Sequence, residues 1–187
     1  MPKTILGFVG RIASGKDACK KYIMEKYGAS SHRYSTVLRD ILNRLYLPID
    51  RNNLQNLSLD LRTRFGSDLL ARVIIEDIIR DDHEIIIIDG IRRLDDVKNL
   101  TEKFPDLHII GIEVEAKTRY ERMVRRNENA GDTEKTFAEF QVDDQKEAEQ
   151  EIPTVMATAK YKLDNNGTFE ELYAQIDKII GEIKKQR

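Results

Sequence analysis

Two glycines and a lysine near the N-terminus have the spacing of a phosphate-binding loop. The segment GFVGRIASGKDA, residues 7–18, contains the pattern Gly-x-x-x-x-Gly-Lys between an apolar run and a segment of helical spacing. The glycines let the backbone wrap closely around an anion, and the lysine can reach the β and γ oxygens of a nucleoside triphosphate. The helix start adds free N–H groups that favour the same anion. The residues assigned to ATP by this pattern are Gly10, Ala13, Ser14, Gly15, Lys16 and Ala18.

The residue after the lysine is Asp17, where a loop of this kind is expected to carry a serine or threonine hydroxyl for magnesium. A carboxylate is a hard oxygen ligand that Mg2+ accepts directly or through water. A second carboxylate, Asp89, directly follows four isoleucines, and ligands of open parallel sheets bind outside the carboxyl ends of the strands. We therefore predict that Asp17 binds Mg2+ and that Asp89 faces a ligand at the end of its strand. A plain Asp-Gly turn is the alternative for the second position.

Four arginines recur at positions i, i+3, i+6 and i+7 of one segment, TRYERMVRR. Most of them share one side of a helix, where like charges repel each other unless an anion lies opposite. Closing arginines stabilise the charge that develops in phosphoryl transfer, so we predict a lid over about residues 119–150. Pairing with acidic residues of the following segment is the alternative. The arginines are Arg119, Arg122, Arg125 and Arg126, of which Arg122 and Arg126 are predicted to be catalytic.

Alternating strand and helix patterns position these groups. The run 84–90 lacks polar alternation, which is typical of a strand buried on both faces at the centre of a parallel sheet. Further strands are predicted over 3–10, 31–35, 107–115 and 161–167, and helices over 14–28, 36–47, 52–66, 68–82, 92–104, 116–128 and 168–187. The order predicts one α/β domain over residues 1–187, a three-layer sandwich with a central five-stranded parallel sheet, helices on both faces and a small helical lid.

Composition narrows the classes of partner. Of 187 residues, 40% are hydrophobic and 34% charged, with a net charge of -2, so a nucleic-acid polymer is not expected as partner. No apolar stretch approaches the ~20 residues of a membrane span, so no membrane partner is predicted. The single Cys19 forms no internal disulfide, and the three histidines lack zinc-type spacing. A cytoplasmic location is the resulting expectation.

The loop with its aspartate resembles the nucleoside-monophosphate-kinase-like branch of the P-loop kinases, where SGKD occurs in phage deoxynucleoside monophosphate kinases and animal phosphomevalonate kinases. The resemblance implies the P-loop kinase fold. YSTVLRDIL, residues 34–42, is similar to the adenylate kinase segment whose arginine binds the acceptor phosphate, which implies that role for Arg39. IIDGIRRLDD, residues 87–96, is similar to the strand-end Asp-Gly-x-x-Arg of nucleotide kinases. This similarity implies that Asp89 lies near Mg2+ or the acceptor, and that Arg92 or Arg93 contacts a phosphate.

Two weaker similarities complete the acceptor and donor sides. RTRFGSD resembles the Gly-Thr-acid element of deoxynucleotide kinases, which implies acceptor contacts for Arg64 or Asp68. These residues lie within a helical acceptor segment of about residues 36–80. The alternative is a helix break at Gly66, which explains the pattern without a ligand. The C-terminal third resembles dephospho-CoA kinases and an uncharacterised archaeal P-loop kinase group. In those proteins the turn after the last strand lies by the adenine, which implies ATP contacts for Asn166 and its neighbours or, alternatively, a plain turn.

The resemblance implies an ATP- and Mg2+-dependent kinase that moves the γ-phosphoryl group to a small phosphorylated acceptor, a nucleoside or deoxynucleoside monophosphate. Dephospho-CoA kinase is the alternative, and a nucleotide-binding regulatory module without catalysis is a further one. Two departures leave the acceptor open: Asp17 replaces the hydroxyl, and DGIRR lacks the proline of adenylate kinases. The oligomeric state does not follow from the sequence.

Overall fold

The computed structural model describes residues 3–126, 132–145 and 151–186. Its strands are β1 (Thr4–Val9), β2 (Ser30–Arg33), β3 (Ile85–Asp89), β4 (His108–Glu113) and β5 (Tyr161–Asp164). Its helices are α1 (Lys16–Tyr27), α2 (Tyr34–Arg44), α3 (Arg51–Phe65), α4 (Leu69–Arg80), α5 (Leu94–Lys103), α6 (Ala116–Arg126), α7 (Phe137–Asp143), α8 (Ile152–Ala157) and α9 (Phe169–Lys185). No helix in the described ranges is long and apolar enough to cross a membrane.

The five strands form one parallel sheet in the order β2-β3-β1-β4-β5. The register pairs Phe8 with Asp89 and Arg33 with Asp89, so the ends of three strands meet beside the loop that follows β1. The run of isoleucines in β3 is fully buried, because helices cover both faces of the sheet. The predicted fold class is confirmed.

Two apolar clusters hold the layers together, one on each face of the sheet. On one face α1 and α9 pack through residues such as Ile23 and Ile176 against Phe8. On the other face α2, α4, α5 and α8 pack against β1 and β3 through residues such as Leu70 and Val155. The sheet is thereby rigid at the edge where the strands end, which is where the candidate site lies.

The helices differ from the sequence prediction at two places. Helix α2 ends at Arg44, well before Pro48, because the chain reverses at Tyr46, which has a left-handed backbone with φ of 57°. Helix α8 was not predicted, since only Ile152 and Val155 of its short sequence are buried. Parts of the predicted lid, residues 127–131 and 146–150, lie outside the described residues, as does the predicted end of α6.

Candidate functional site

The loop between β1 and α1 has the predicted strand, glycine turn and helix context. Gly15 precedes the helix with φ of 93°, in the left-handed region that glycine adopts without strain, and no side chain caps the helix start. A Cβ on Gly10 would lie 2.5 Å from Ser14 Oγ and 3.2 Å from the carbonyl oxygen of Ile112. Both glycines are therefore required by the shape of the loop, and the N–H groups at the start of α1 are of the kind that bind an anion.

Lys16 lies folded over this loop. Its ammonium donates hydrogen bonds to the carbonyl oxygens of Gly10, at 2.6 Å, and Arg11, at 3.0 Å. Buried Ser14 donates its N–H to the Arg11 oxygen at 3.2 Å, which closes the turn. Ala13, in the same turn, has φ of 57°. The ammonium thus lies directly against the backbone of the loop.

Asn165 joins the last strand to the loop, whereas the neighbouring Asn166, predicted to contact ATP, faces away from it. Buried Asn165 donates its side-chain N–H to the Ser14 oxygen at 2.8 Å, and a Cβ on Gly15 would overlap this amide. The side chain of Asn166 instead accepts the N–H of Glu115 and donates to Asp164. Only the burial of Asn165 distinguishes the two neighbours, and the sequence carries no signal for it.

Arg122 and Arg126 of α6 lie beside the phosphate loop and the first turn of α1. Arg122 donates through Nη2 to the Asn165 oxygen at 2.9 Å, while its buried Nη1 has no hydrogen-bond partner in the described part of the chain. That Nη1 lies 3.9 Å from where a Cβ on Gly15 would be, so it faces the loop. Arg126 forms an ion pair with Asp17 at 3.4 Å. Arg125 is exposed.

Arg119, which is buried on α6, agrees with the alternative prediction, in which acidic residues of the next segment pair with the arginines. Arg119 donates to both carboxylate oxygens of Asp144, at 2.6 and 2.8 Å. Arg11 of the phosphate loop donates to the same carboxylate at 2.8 Å. Burial opposes ionisation of Asp144, but the two guanidinium groups outweigh it and lower its pKa. The result is a direct connection between the end of α7 and the loop, beside a cavity of about 200 Å³.

The side chains of the two predicted metal ligands lie next to the same ammonium group. Asp17 and Asp89 both contact the ammonium of Lys20, at 3.0 and 2.9 Å. Asp89 is buried at the end of β3, and its Oδ1 has no hydrogen-bond partner among the described residues. Partial burial opposes ionisation of Asp17, but the hydrogen bond and charge of Lys20, with Arg33 and Arg126, lower its pKa. An unpartnered carboxylate oxygen beside a second carboxylate is a donor set that fits Mg2+.

The predicted acceptor residues are not all brought together. Arg39 is half-buried and makes no hydrogen bond or ion pair within the described ranges, so its guanidinium is open to a ligand. Arg64 is exposed at the end of α3. Asp68 forms an ion pair with Arg72 at 3.2 Å, one turn along the same surface. Arg92 is exposed at the turn before α5.

A buried polar group near this turn was missed by sequence reasoning. Arg62, rather than Arg64, turns inward, where it donates to the Ser67 oxygen at 2.7 Å and lies 3.9 Å from Asp96. Burial raises the pKa of Asp96, although Arg62 and Arg93 oppose the shift. The hydroxyl of Tyr34 is buried without a hydrogen-bond partner among the described residues. The helical spacing of Arg62 beside the inward-facing Leu61 could have indicated its direction.

Comparison with known proteins agrees with this geometry. The model of a family described as an AAA domain matches residues 9–160. A UPF0200 protein of Thermococcus kodakarensis is 31% identical over 178 residues, which cover 93% of this chain and 95% of that protein. The chain belongs to the UPF0200 family. A UPF0200 protein of Hyperthermus butylicus is 29% identical over 98% of this chain and 97% of its own length, so the family likeness extends over the whole fold.

Solved structures share the fold at low sequence identity. A shikimate kinase from Bacteroides thetaiotaomicron matches with a TM-score of 0.64 at 11% identity, over 97% of this chain and 98% of that one. A gluconokinase from Sinorhizobium meliloti 1021 matches with a TM-score of 0.58 at 14% identity, over 99% of this chain and 97% of that one. This UPF0200 chain therefore has the P-loop kinase fold.

Proposed function

We propose that the protein is an ATP- and Mg2+-dependent phosphotransferase whose acceptor is a small phosphorylated molecule, a nucleoside or deoxynucleoside monophosphate. The observation that carries the proposal is the buried Nη1 of Arg122, which faces the phosphate loop without a partner in the described structure. A buried guanidinium N–H without an acceptor is costly, and a phosphate oxygen in the loop would satisfy it. The uncapped start of α1 favours the same anion.

In this proposal catalysis consists of positioning and charge neutralisation. The loop N–H groups and Lys16 hold the transferred phosphoryl group, and Arg122 and Arg126 stabilise the charge that develops on its oxygens. Asp17 and Asp89 would hold Mg2+, which supplies charge neutralisation of the phosphates when bound. A monophosphate acceptor needs no general base, because its attacking oxygen is already ionised.

The binding of the acceptor is proposed from the same kind of observation, a guanidinium group without a partner among the described residues. We propose that Arg39 and Arg92 bind the acceptor phosphate, with Arg64 and Asp68 as more distant contacts. Arg39 carries this proposal best, because its half-buried guanidinium makes no hydrogen bond or ion pair with any described residue. The ion pair of Asp68 with Arg72 must open before Asp68 can contact a ligand.

Dephospho-CoA kinase is the second candidate, and one observation favours it. The unpartnered Oδ1 of Asp89 is a buried hydrogen-bond acceptor at the reacting end of the sheet. A carboxylate oxygen in that place can accept the proton of a ribose hydroxyl. That chemistry is needed for a 3′-hydroxyl acceptor and is not needed for a monophosphate.

A panel assay separates these candidates. We expect ADP production from ATP and Mg2+ with one or more of the nucleoside and deoxynucleoside monophosphates. Turnover with dephospho-CoA alone would establish the second candidate instead. A third outcome is that ATP raises the melting temperature while none of the monophosphates, dephospho-CoA and water supports turnover. In that outcome the protein binds nucleotide without transferring phosphate, and the kinase proposal is wrong.

A further inference from the structure

Lys20 lies between the two carboxylates proposed to hold Mg2+. It is four residues after Lys16, so one helical turn of α1 brings it beside the loop. Its ammonium is 3.0 Å from Asp17 Oδ1 and 2.9 Å from Asp89 Oδ2, and only 17% of its side chain is exposed. The ammonium therefore contacts one oxygen of each carboxylate.

The local charge balance is unfavourable for a free divalent ion. Arg33 Nε lies 3.5 Å from Asp89, and Arg126 lies 3.4 Å from Asp17. Lys20 contacts both carboxylates as well, so a metal ion that approaches them is repelled by neighbouring positive charge.

The described residues by themselves also offer too few ligands for a metal ion. Among the described residues, no group of three or more histidine, cysteine, aspartate or glutamate side chains is placed to hold a metal ion. Mg2+ is commonly bound by one or two carboxylates together with substrate phosphates. The missing ligands and the missing negative charge are both supplied by a nucleotide polyphosphate.

We propose that Lys20 is a built-in counter-cation that keeps divalent metal away from Asp17 and Asp89 until a nucleotide is bound. The inference rests on the proposed function, because it assigns to Lys20 the order in which the ligands of that site bind. Polyphosphate oxygens offer the flexible lysine side chain an alternative anion. Metal then binds with the nucleotide and not before it.

Titration of Mn2+ into nucleotide-free protein, followed by electron paramagnetic resonance, tests the proposal. We expect Lys20→Met to bind Mn2+ at least about tenfold more tightly than the wild type, because a positive charge next to both carboxylates is gone. The matched control is Lys21→Met, an exposed neighbour on the same helix whose ammonium is 3.8 Å from Glu25. This control is expected to bind like the wild type. Lys20→Met with Asp89→Asn is expected to lose the gain, which locates it at Asp89.

Two results would overturn the inference: equal Mn2+ affinity in the wild type and Lys20→Met, or a gain that persists after Asp89→Asn. If Lys20→Met does not fold, as judged by its melting temperature, Lys20→Gln provides the same charge removal with a polar side chain. A fluorescent ATP analogue added in the presence of EDTA reads nucleotide binding separately. If the wild type binds and turns over ATP but Lys20→Met gains no Mn2+ affinity, only the role of Lys20 is contradicted. If the wild type neither binds nor turns over ATP, the proposed function is contradicted.

Discussion

At the scale of single residues, the phosphate loop contains positions whose backbone conformation limits which residue can occupy them. Gly15 has a left-handed backbone and lies against the amide of Asn165, so any side chain there would be strained and would also clash. Ala13 adopts a left-handed backbone without being glycine, which costs roughly 1–2 kcal/mol. Such strain is typical of ligand-binding turns that the surrounding structure holds in place.

Lys16 offers a test at this scale. Lys16→Ala is expected to lower turnover by at least about 100-fold, because a cationic donor to the transferred phosphoryl group is lost. The fold is expected to survive, since the hydrogen bonds of the lysine to the carbonyl oxygens of Gly10 and Arg11 and to Ser14 Oγ all lie within the loop itself. ADP release and melting temperature measure the two effects. Lys21→Ala, on the exposed side of the same helix, is the control, and equal turnover in both variants would contradict the assignment of the loop.

At the scale of elements, α6 connects the last strand, the phosphate loop and α7. Arg122 contacts the turn after β5, while Arg119, one turn earlier, contacts the residue that caps α7. The rings of Tyr120 and Phe140 pack together at 5.8 Å between centroids, and the Arg119 guanidinium lies over Phe140. Arg122 therefore faces the loop, whereas Arg119 holds α7 and also donates to the Ile12 oxygen of the loop at 3.4 Å.

Asp144 tests this connection. Asp144→Asn is expected to destabilise the protein by about 3 kcal/mol, because removal of one partner leaves the buried Arg119 guanidinium uncompensated. Urea unfolding at neutral pH measures the loss. Asp143→Asn is the matched control, since the ion pair of Asp143 with Lys135 involves a less buried cation. A smaller loss for Asp144→Asn than for Asp143→Asn would show that α7 is not held by this contact.

At the scale of the whole molecule, the parallel sheet separates chemistry from stability. The candidate site occupies the edge where the strands end. At the opposite edge, Asp81 after α4 accepts hydrogen bonds from Ser30 and from the backbone of His83, and it pairs with the rings of His32 and His83, at 2.7 and 2.6 Å. This cluster joins α4 to the start of β2, far from the phosphate loop.

The Asp81 cluster predicts a pH dependence of stability. Burial opposes ionisation, but hydrogen bonds from Ser30, His83 and His32 outweigh it and lower the pKa of Asp81 below its usual value of 3.8. A lowered folded-state pKa stabilises the protein above the unfolded value, and this contribution is lost as the pH falls below it. Asp81→Asn is expected to cost about 2 kcal/mol at pH 7 and to flatten the decline of the unfolding free energy below about pH 4.

Chemical denaturation across the acid range measures this effect. The control is Asp77→Asn on the same helix, which keeps the cluster intact and is expected to follow the wild-type curve. An Asp81→Asn variant that is as stable as the wild type at pH 7 would show that the cluster does not hold the two elements together.

The sequence by itself determined the order of elements, the parallel sheet and the phosphate loop. Each follows from local rules: buried isoleucines for β3, glycine spacing for the loop, and a capping box of Thr168 and Glu171 for α9. Such rules act between residues that are neighbours along the chain, so one chain suffices to apply them. The predicted roles of the site residues stay predictions.

Only the tertiary structure decided how charges are shared around the site. Lys20 and Asp89 are 69 residues apart, Arg11 and Asp144 are 133 apart, and Ser14 and Asn165 are 151 apart. No local pattern states which distant cation meets which carboxylate, because crossovers of the parallel sheet bring these residues together in space. For the same reason the sequence could not tell Asn165 from Asn166, Arg62 from Arg64, or the arginine that holds α7 from those that face the loop.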